Sequence, residues 1–440
     1  MTDSAIRQRL IDFLTALFPE LGRRDRRHWG EVYVRGLLTA GERKSIEPLA
    51  QRLPDGNVQA LQQFIGQSPW PYEPVRQRLA HLVLPALGTG VWVVDDTGFP
   101  KQGRYSVGVA RQYSGTLGKV ANCQIAVSIH HVTPTASLPV DWALYLPEEW
   151  TDDRARCAAA GVPAEVTFQP KWRLALTLLD GVQRWAVPAQ PVVADAGYGN
   201  IAAFRDGLTA RGFAYVVGIE STTGVWRHAP AVHVPRASGR GRPPTRVQYG
   251  AQQPQSVAAV AQRLPRRRWR TVRWREGSKG MLGSRFARVR VQGAHGHTKG
   301  KPPGPEVWLL IEWPRGAAQP TKYWLSTLPH TIALRRLVTT AKQRWRVEQD
   351  YAQMKEELGL DHYEGRGWLG WHHHVTMVMV AYGFLMRERV RRRPRASKKT
   401  SSGPRSPRSA PPPNTSFRRG PGHAPSAANQ SLQWIPHNIT

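Results

Sequence analysis

The chain has 440 residues, 40% of them apolar, and carries 62 Lys plus Arg against 31 Asp plus Glu for a formal net charge of +31. That length can bury a sizeable core in about two to four packed units; the charge points to a polyanionic partner, and +20 of it lies on residues 1–386, ahead of the basic C-terminal stretch. Two cysteines, Cys123 and Cys157, exclude a disulfide framework. The longest apolar run, Val375 to Met386, falls short of the roughly 20 residues that span a bilayer, and a start of Thr2-Asp3-Ser4 does not read as a leader. A cytoplasmic protein without a membrane partner is expected.

In chain order, Ile6, Leu10, Phe13, Leu14 and Leu17 recur at helical steps, as do Val75, Leu79, Leu82 and Val83. Residues 1–88 therefore read as a helical domain with a basic surface that includes Arg23, Arg24, Arg26, Arg27, Arg43 and Lys44. Such a surface suits DNA, or belongs to an ordinary helical appendage. At Gly90 the texture changes: Val91-Trp92-Val93-Val94 reads as a buried strand whose end delivers Asp95-Asp96-Thr97-Gly98 into a loop. Asn122 to Val132 reads as another strand and Lys171 to Ala186 as a helix. Val192-Val193-Ala194 reads as a strand ending in Asp195, Ile201 to Arg211 as a helix and Phe213 to Ile219 as a strand. Residues 89–219 are thus a mixed α/β layer.

From 220 to 328 the helical signal disappears among short β-prone runs, Gly, Pro and Arg, which predicts a β-rich insertion. Helix returns from Ile332 to about Leu358 and again over Trp371 to Arg389, so residues 329–389 complete the core. Residues 390–440 are Arg, Ser, Pro and Gly without periodicity and read as a basic disordered tail.

Three acids stand out. Asp95 and Asp195 each follow a strand; singly, an Asp there is commonly a turn or a cap, but as a pair they could share a metal ion. Arg344, Glu348 and Lys355 are spaced four and seven apart, on one helix face with Tyr351 beside them; the spacing also suits an exposed salt-bridge ladder. If Asp95, Asp195 and Glu348 converge, they form an acidic cluster in a basic protein, which phosphodiester chemistry needs to hold two Mg²⁺ ions about 3.5 to 4 Å apart. Arg263 to Lys279, with Arg268, Trp269, Arg270 and Trp274, suits a groove for phosphates and a splayed base, or a charged β edge. His372, His373 and His374 are consecutive, so they diverge around a helix and read as surface or DNA-facing residues rather than metal ligands.

These residues resemble a known family. Val91 to Lys119 resembles the first catalytic block of bacterial insertion-sequence transposases of the DDE class. Asp195-Ala196-Gly197-Tyr198-Gly199 resembles the second, Trp324-Leu325-Ser326-Thr327-Leu328-Pro329 the segment before the catalytic helix, and Arg344 to Lys355 the third. The third block in that family runs Tyr, two residues, Arg, three residues, Glu, six residues, Lys; here Ala341 stands where the Tyr belongs. Within that family the sequence resembles the branch called IS seven-hundred-and-one.

The resemblance implies a ribonuclease-H-like mixed sheet with helices on both faces and a β insertion before the last catalytic helix. It further implies Asp95, Asp195 and Glu348 as catalytic metal ligands, with Asp96 in reserve for Asp95, and Arg344, Lys355 and Tyr351 beside the DNA. Also implied are two Mg²⁺ ions, replaceable by Mn²⁺, and double-stranded DNA as substrate at both element ends and target. The reaction would be strand cleavage followed by transfer of the 3′-hydroxyl, performed by a homodimer on the bacterial nucleoid. The alternative is a catalytically inactive relative that occupies transposon ends as a repressor.

Overall fold

The computed structural model describes residues 3–234, 246–277 and 280–392. The helical steps of residues 6–87 become five helices: α1 (Asp3–Leu17), α2 (Arg24–Leu38), α3 (Ile46–Gln51), α4 (Val58–Gly66) and α5 (Tyr72–Leu87). Ile6, Leu10, Phe13, Leu14 and Leu17 of α1 and Val75, Leu79 and Val83 of α5 form buried stripes. The Asn57 side chain starts α4 by accepting from the Ala60 N–H at 3.0 Å. Arg23, Arg24, Arg27 and Arg43 are exposed, as expected, but Lys44 is not. Its ammonium is buried where α2 ends and donates to the carbonyls of Leu37, at 2.9 Å, and Thr39. The last carbonyls of a helix lack partners within it, so a cation there is a cap rather than a surface charge.

The α/β part begins with β1 (Val91–Pro100), β2 (Ala110–Ser114), β3 (Lys119–Val132) and β4 (Ser137–Tyr145). It continues through α6 (Glu148–Thr151), α7 (Arg154–Ala159), α8 (Lys171–Arg184), β5 (Val192–Ala194), α9 (Ala196–Gly199), α10 (Ala202–Ala210) and β6 (Tyr215–Ile219). β1, β3 and β4 are an antiparallel meander, whereas β5 runs parallel to β1 and β6 parallel to β5. The central order is therefore β4-β3-β1-β5-β6.

The β-rich stretch contributes β7 (Gly224–Trp226), β8 (Val232–His233), β9 (Gln248–Tyr249), β10 (Gln255–Ser256), β11 (Arg270–Gly277), β12 (Gly280–Gly293), β13 (Glu306–Trp313) and β14 (Lys322–Ser326). Apart from the β8–β9 ribbon these strands do not form a separate sheet: β14 pairs with β6, so one mixed sheet of twelve strands runs through both regions. One short helix, α11 (Val257–Gln262), interrupts the stretch where only strands are expected; Ser256 caps it by accepting from Ala259 N–H at 3.2 Å.

The late helical region is also more broken than its spacing predicts. α12 (Leu334–Ala341) is followed by a 3₁₀ turn over Lys342–Arg344, then by α13 (Trp345–Glu356) and α14 (Trp368–Arg391). α14 is apolar nearly all round and threads between the N-terminal helices and β4, which is why its residues from Gly370 to Phe384 are buried on every side. The tail expected from 390 onward lies, after 392, outside the described residues.

Candidate active site

Strand register places the first two acids. β1 and β5 pair Trp92 with Val192 and Val93 with Val193, an offset of 100 residues. The same offset carried two residues further brings Asp95 of β1 beside the position just after β5, where Asp195 stands, and the charges of the two acids act on each other. β1 does not end at Asp95, contrary to expectation; it continues to Pro100, paired with β3 throughout from Val91↔Val132 to Pro100↔Cys123. It is β5 that stops, at Ala194, leaving one side of β1 open from Asp95 onward. Asp195 then caps α9, its Oδ1 accepting from the Tyr198 N–H at 3.3 Å.

The third acid comes from α13. Ser128 lies opposite Asp95 in the β1–β3 pair, and its Oγ is 2.7 Å from the Tyr351 hydroxyl of α13, so this helix covers the face of β1 that bears Asp95. Arg344, just ahead of α13, donates to Asp95 Oδ2 at 2.6 Å and to Glu348 Oε1, so one guanidinium spans two of the three acids. Two turns further along the same helix face, Lys355 Nζ donates to Thr97 Oγ1 at 2.9 Å, Gly98 O at 2.8 Å and Thr116 Oγ1 at 3.1 Å. Asp96 leaves β1 on the opposite face, where Lys171 Nζ lies 3.3 Å away and the Tyr198 hydroxyl donates to it at 3.2 Å. α8, which carries Lys171, and α13 thus lie on opposite faces of β1.

Electrostatics set Asp95 apart. Burial pushes its carboxyl up to about 7; Arg344 opposes the rise, and the nearby charges of Asp195 and Asp96 add to it. Burial also works against the charge on Arg344, but Asp95, Glu348 and Asp195 together hold its pKa above the usual guanidinium value. Lys355 is lowered by burial.

The profile of a family described as "DDE superfamily endonuclease" matches residues 16–281, more than half of the chain. The chain belongs to the DDE endonuclease superfamily. The match takes in Asp95 and Asp195 and ends before Glu348. A protein from Microchaete diplosiphon, "Probable transposase for insertion sequence element IS701", is 28% identical over 192 residues, which are 42% of this chain and 47% of that relative. The chain thus spans about half the length of the curated relative it matches.

A DDE endonuclease depends on a divalent metal, and the donors here fit one in part. Asp95 and Asp195 offer hard carboxylate oxygens, and a cation would offset both the burial that raises the Asp95 pKa and the smaller contribution of the neighbouring acid charges. Glu348 stands across the Arg344 guanidinium from Asp95. Among the described residues no three His, Cys, Asp or Glu side chains stand together closely enough to hold an ion.

The other expected site residues separate. Tyr351 is turned inward, only 7% exposed, with its hydroxyl engaged by Ser128, so it presents no surface to DNA. Arg268 and Arg270 are exposed at the start of β11, whereas Trp269 packs edge-on against Trp313 at 5.2 Å instead of standing free to stack on a base. His372, His373 and His374 are wholly interior. His374 pairs with the Tyr33 hydroxyl at 2.8 Å, the ring nitrogens of His373 lie 2.9 and 2.8 Å from the carbonyls of Ile65 and Trp70, to one of which the neutral ring donates, and His372 stacks on Tyr72. The apolar surroundings on all sides of α14 are the signal that outweighs their polarity.

Sequence reasoning also missed a buried network beneath the acids. His130 Nδ1 lies 2.9 Å from Asp350 Oδ2 and its Nε2 lies 3.1 Å from Ser128 Oγ, while Ser137 and Tyr382 donate to Asp350 Oδ1 at 2.5 and 2.8 Å. Asp350 is two residues past Glu348, so the network locks α13 to β3 and β4 and fixes which face of the helix meets Asp95. Thr97 was legible from its two-residue step beyond Asp95; Lys171 carried no comparable signal.

Proposed function

We propose that the protein is an insertion-sequence transposase that cuts one DNA strand at the element end and joins the freed 3′-hydroxyl to target DNA. The observation that supports this reading is the 100-residue offset of the β1–β5 pairs, which brings Asp95 beside the position after β5 where Asp195 stands, together with Arg344 bridging Asp95 and Glu348. The sheet order β4-β3-β1-β5-β6, with its antiparallel meander and two parallel strands, supports a ribonuclease-H-like core.

In this reading Asp95, Asp195 and Glu348 would hold two divalent ions, Mg²⁺ or Mn²⁺, and the chemistry such ions would supply is activation of a nucleophile near neutral pH and neutralisation of charge on the leaving oxygen. Arg344 leaves Glu348 and Asp95 as DNA enters and pairs with a phosphate oxygen. Lys355 takes a second phosphate on the side of Thr97 and Thr116. In the first step water attacks phosphorus, the P–O3′ bond breaks, and the strand leaves with a 3′-hydroxyl and a 5′-phosphate on the flank. In the second step that hydroxyl attacks a target phosphodiester; a new O3′–P bond forms and the target strand departs with its own 3′-hydroxyl, so no external energy source is required. Arg268 and Arg270 bind the DNA flanks through phosphates, and two copies of the chain act together because two ends are joined. No helix among the described residues is long and apolar enough to cross a membrane.

The test is incubation with Mn²⁺ and a duplex carrying the element's own ends, beside Asp195→Asn. Cutting and joining by the wild type alone is the expected result. Binding without cutting by both proteins would instead make the chain an inactive end-binding relative.

A further inference from the structure

The hairpin of β2 and β3 presents an unusual surface for so basic a chain. Tyr113 and Val120 face each other across it, and at 61% and 51% exposed they stand in solvent together with Leu117 of the turn, at 42%. Soluble proteins seldom cluster large apolar side chains on a projecting tip without a use for them. The opposite side of the hairpin is anchored. Ser114 is fully buried against Gly98 of β1, where an added Cβ would come within 2.6 Å of its Oγ. Thr116 at the turn donates to the Gly98 carbonyl at 3.2 Å and accepts from Lys355 at 3.1 Å. The turn is thus tied to α13, and the apolar tip is held beside Thr97 and Gly98, two and three residues past Asp95 on β1.

Charge selects the partner. From 97 to 140 the sequence contains no Asp or Glu, while Lys101, Arg104, Arg111 and Lys119 lie within it. Arg111 shares a face of β2 with Tyr113, and both Arg111 and Lys119 are exposed. An apolar tip flanked by cations and free of acids complements a phosphate backbone with bases behind it.

We propose that this hairpin is a DNA wedge. Tyr113, Leu117 and Val120 enter the duplex beside the scissile phosphate and unstack a base pair there, while Arg111 and Lys119 hold the phosphates on either side. Opening the helix next to the acids brings the strand to be cut within their reach, and Tyr113 offers a ring on which the displaced base stacks. The inference rests on the reading of DNA as the substrate of the neighbouring acids.

The experiment places 2-aminopurine successively at positions around the element boundary in an end duplex and compares wild type with the triple variant Tyr113→Ser, Leu117→Ser, Val120→Thr. All three side chains are exposed, so the variant keeps the wild-type melting temperature. In Ca²⁺, without cutting, the wild type raises the fluorescence several-fold at one or two positions; the variant binds within about threefold of wild type and leaves it flat. In Mn²⁺ the variant cuts the paired duplex at least about tenfold more slowly, and a mismatch at the responsive position restores its rate. Equal fluorescence gains in both proteins, or no rescue by the mismatch, overturns the wedge. The fluorescence arm needs no cleavage, so a wild type that distorts DNA but never cuts it contradicts the transposase reading and leaves the wedge standing.

Discussion

Two clusters of ionisable groups meet α13, and they differ in whether their bonding is closed. Beneath the helix, Asp350 accepts from Ser137 and Tyr382 on one oxygen and pairs with His130 on the other, with Ser128 and Tyr351 completing the chain, all of it buried. Beside it, Asp95 has Asp195 for a neighbour and shares the Arg344 guanidinium with Glu348, and burial, with the nearby acid charges adding to it, raises its pKa to about 7. A closed network stabilises the fold, because each polar group replaces its lost water. An open, like-charged one costs stability and persists where something absent from the chain completes it. Sequence neighbours divide between the two clusters: Glu348 belongs to the open one and Asp350 to the closed one.

The sharpest way to break this contrast is to neutralise one acid in each cluster. Asp195→Asn keeps a side-chain oxygen to cap α9 and is expected to leave the melting temperature within a few degrees while cleavage of an end duplex falls roughly a thousand-fold, about 4 kcal/mol of transition-state stabilisation. Asp350→Ala, read by urea denaturation, should do the reverse and cost about 3–5 kcal/mol of stability, since it strands the partners of a buried pair. Similar stability losses in both variants would erase the distinction.

Acid sharpens it further through α14. Burial holds His373 and His374 down at about 4, against 6.5 for a free imidazole. The unfolded chain therefore binds protons that the folded chain refuses, so the stability is complete above pH 6.5 and is lost as pH falls toward 4. Each ring accounts for about 3 kcal/mol over that window, measurable as a falling denaturation midpoint. Asp95, raised to about 7, gains stability over the same window and offsets part of the loss, so wet rings would show as a midpoint that rises as pH drops from 6.5 to 4.5. The smallest effect is expected at Lys355→Met, which keeps the aliphatic stem; DNA binding should weaken a few-fold at moderate salt, with a log–log salt slope smaller by about one.

How much of this was legible in the sequence depends on the kind of information each feature needs. Helices α1, α5, α8 and α14 follow from apolar spacing, and strands β1, β5 and β6 from short apolar runs, because both are local signals. The three acids were legible as types at plausible spacings. That Asp95 and Asp195 follow neighbouring strand segments was not, since it depends on a β1–β5 pairing which no local pattern encodes. The expectation of a loop after Val94 failed because pairing with β3 carries β1 on to Pro100. His372, His373 and His374 and Lys44 failed for one reason: a polar residue was assigned to the surface when a carbonyl or hydroxyl partner waited inside.

The central claim is that three segments remote in sequence share bound metal. Affinity cleavage tests it directly: Fe²⁺ is loaded in place of Mg²⁺, ascorbate and peroxide are added, and the fragments of the protein are sized. Cuts are expected near Asp95, Asp195 and Glu348 together, all suppressed by excess Mn²⁺ and all absent from Asp195→Asn. Cuts near only one of the three, or a pattern unchanged by Mn²⁺, would contradict the shared site.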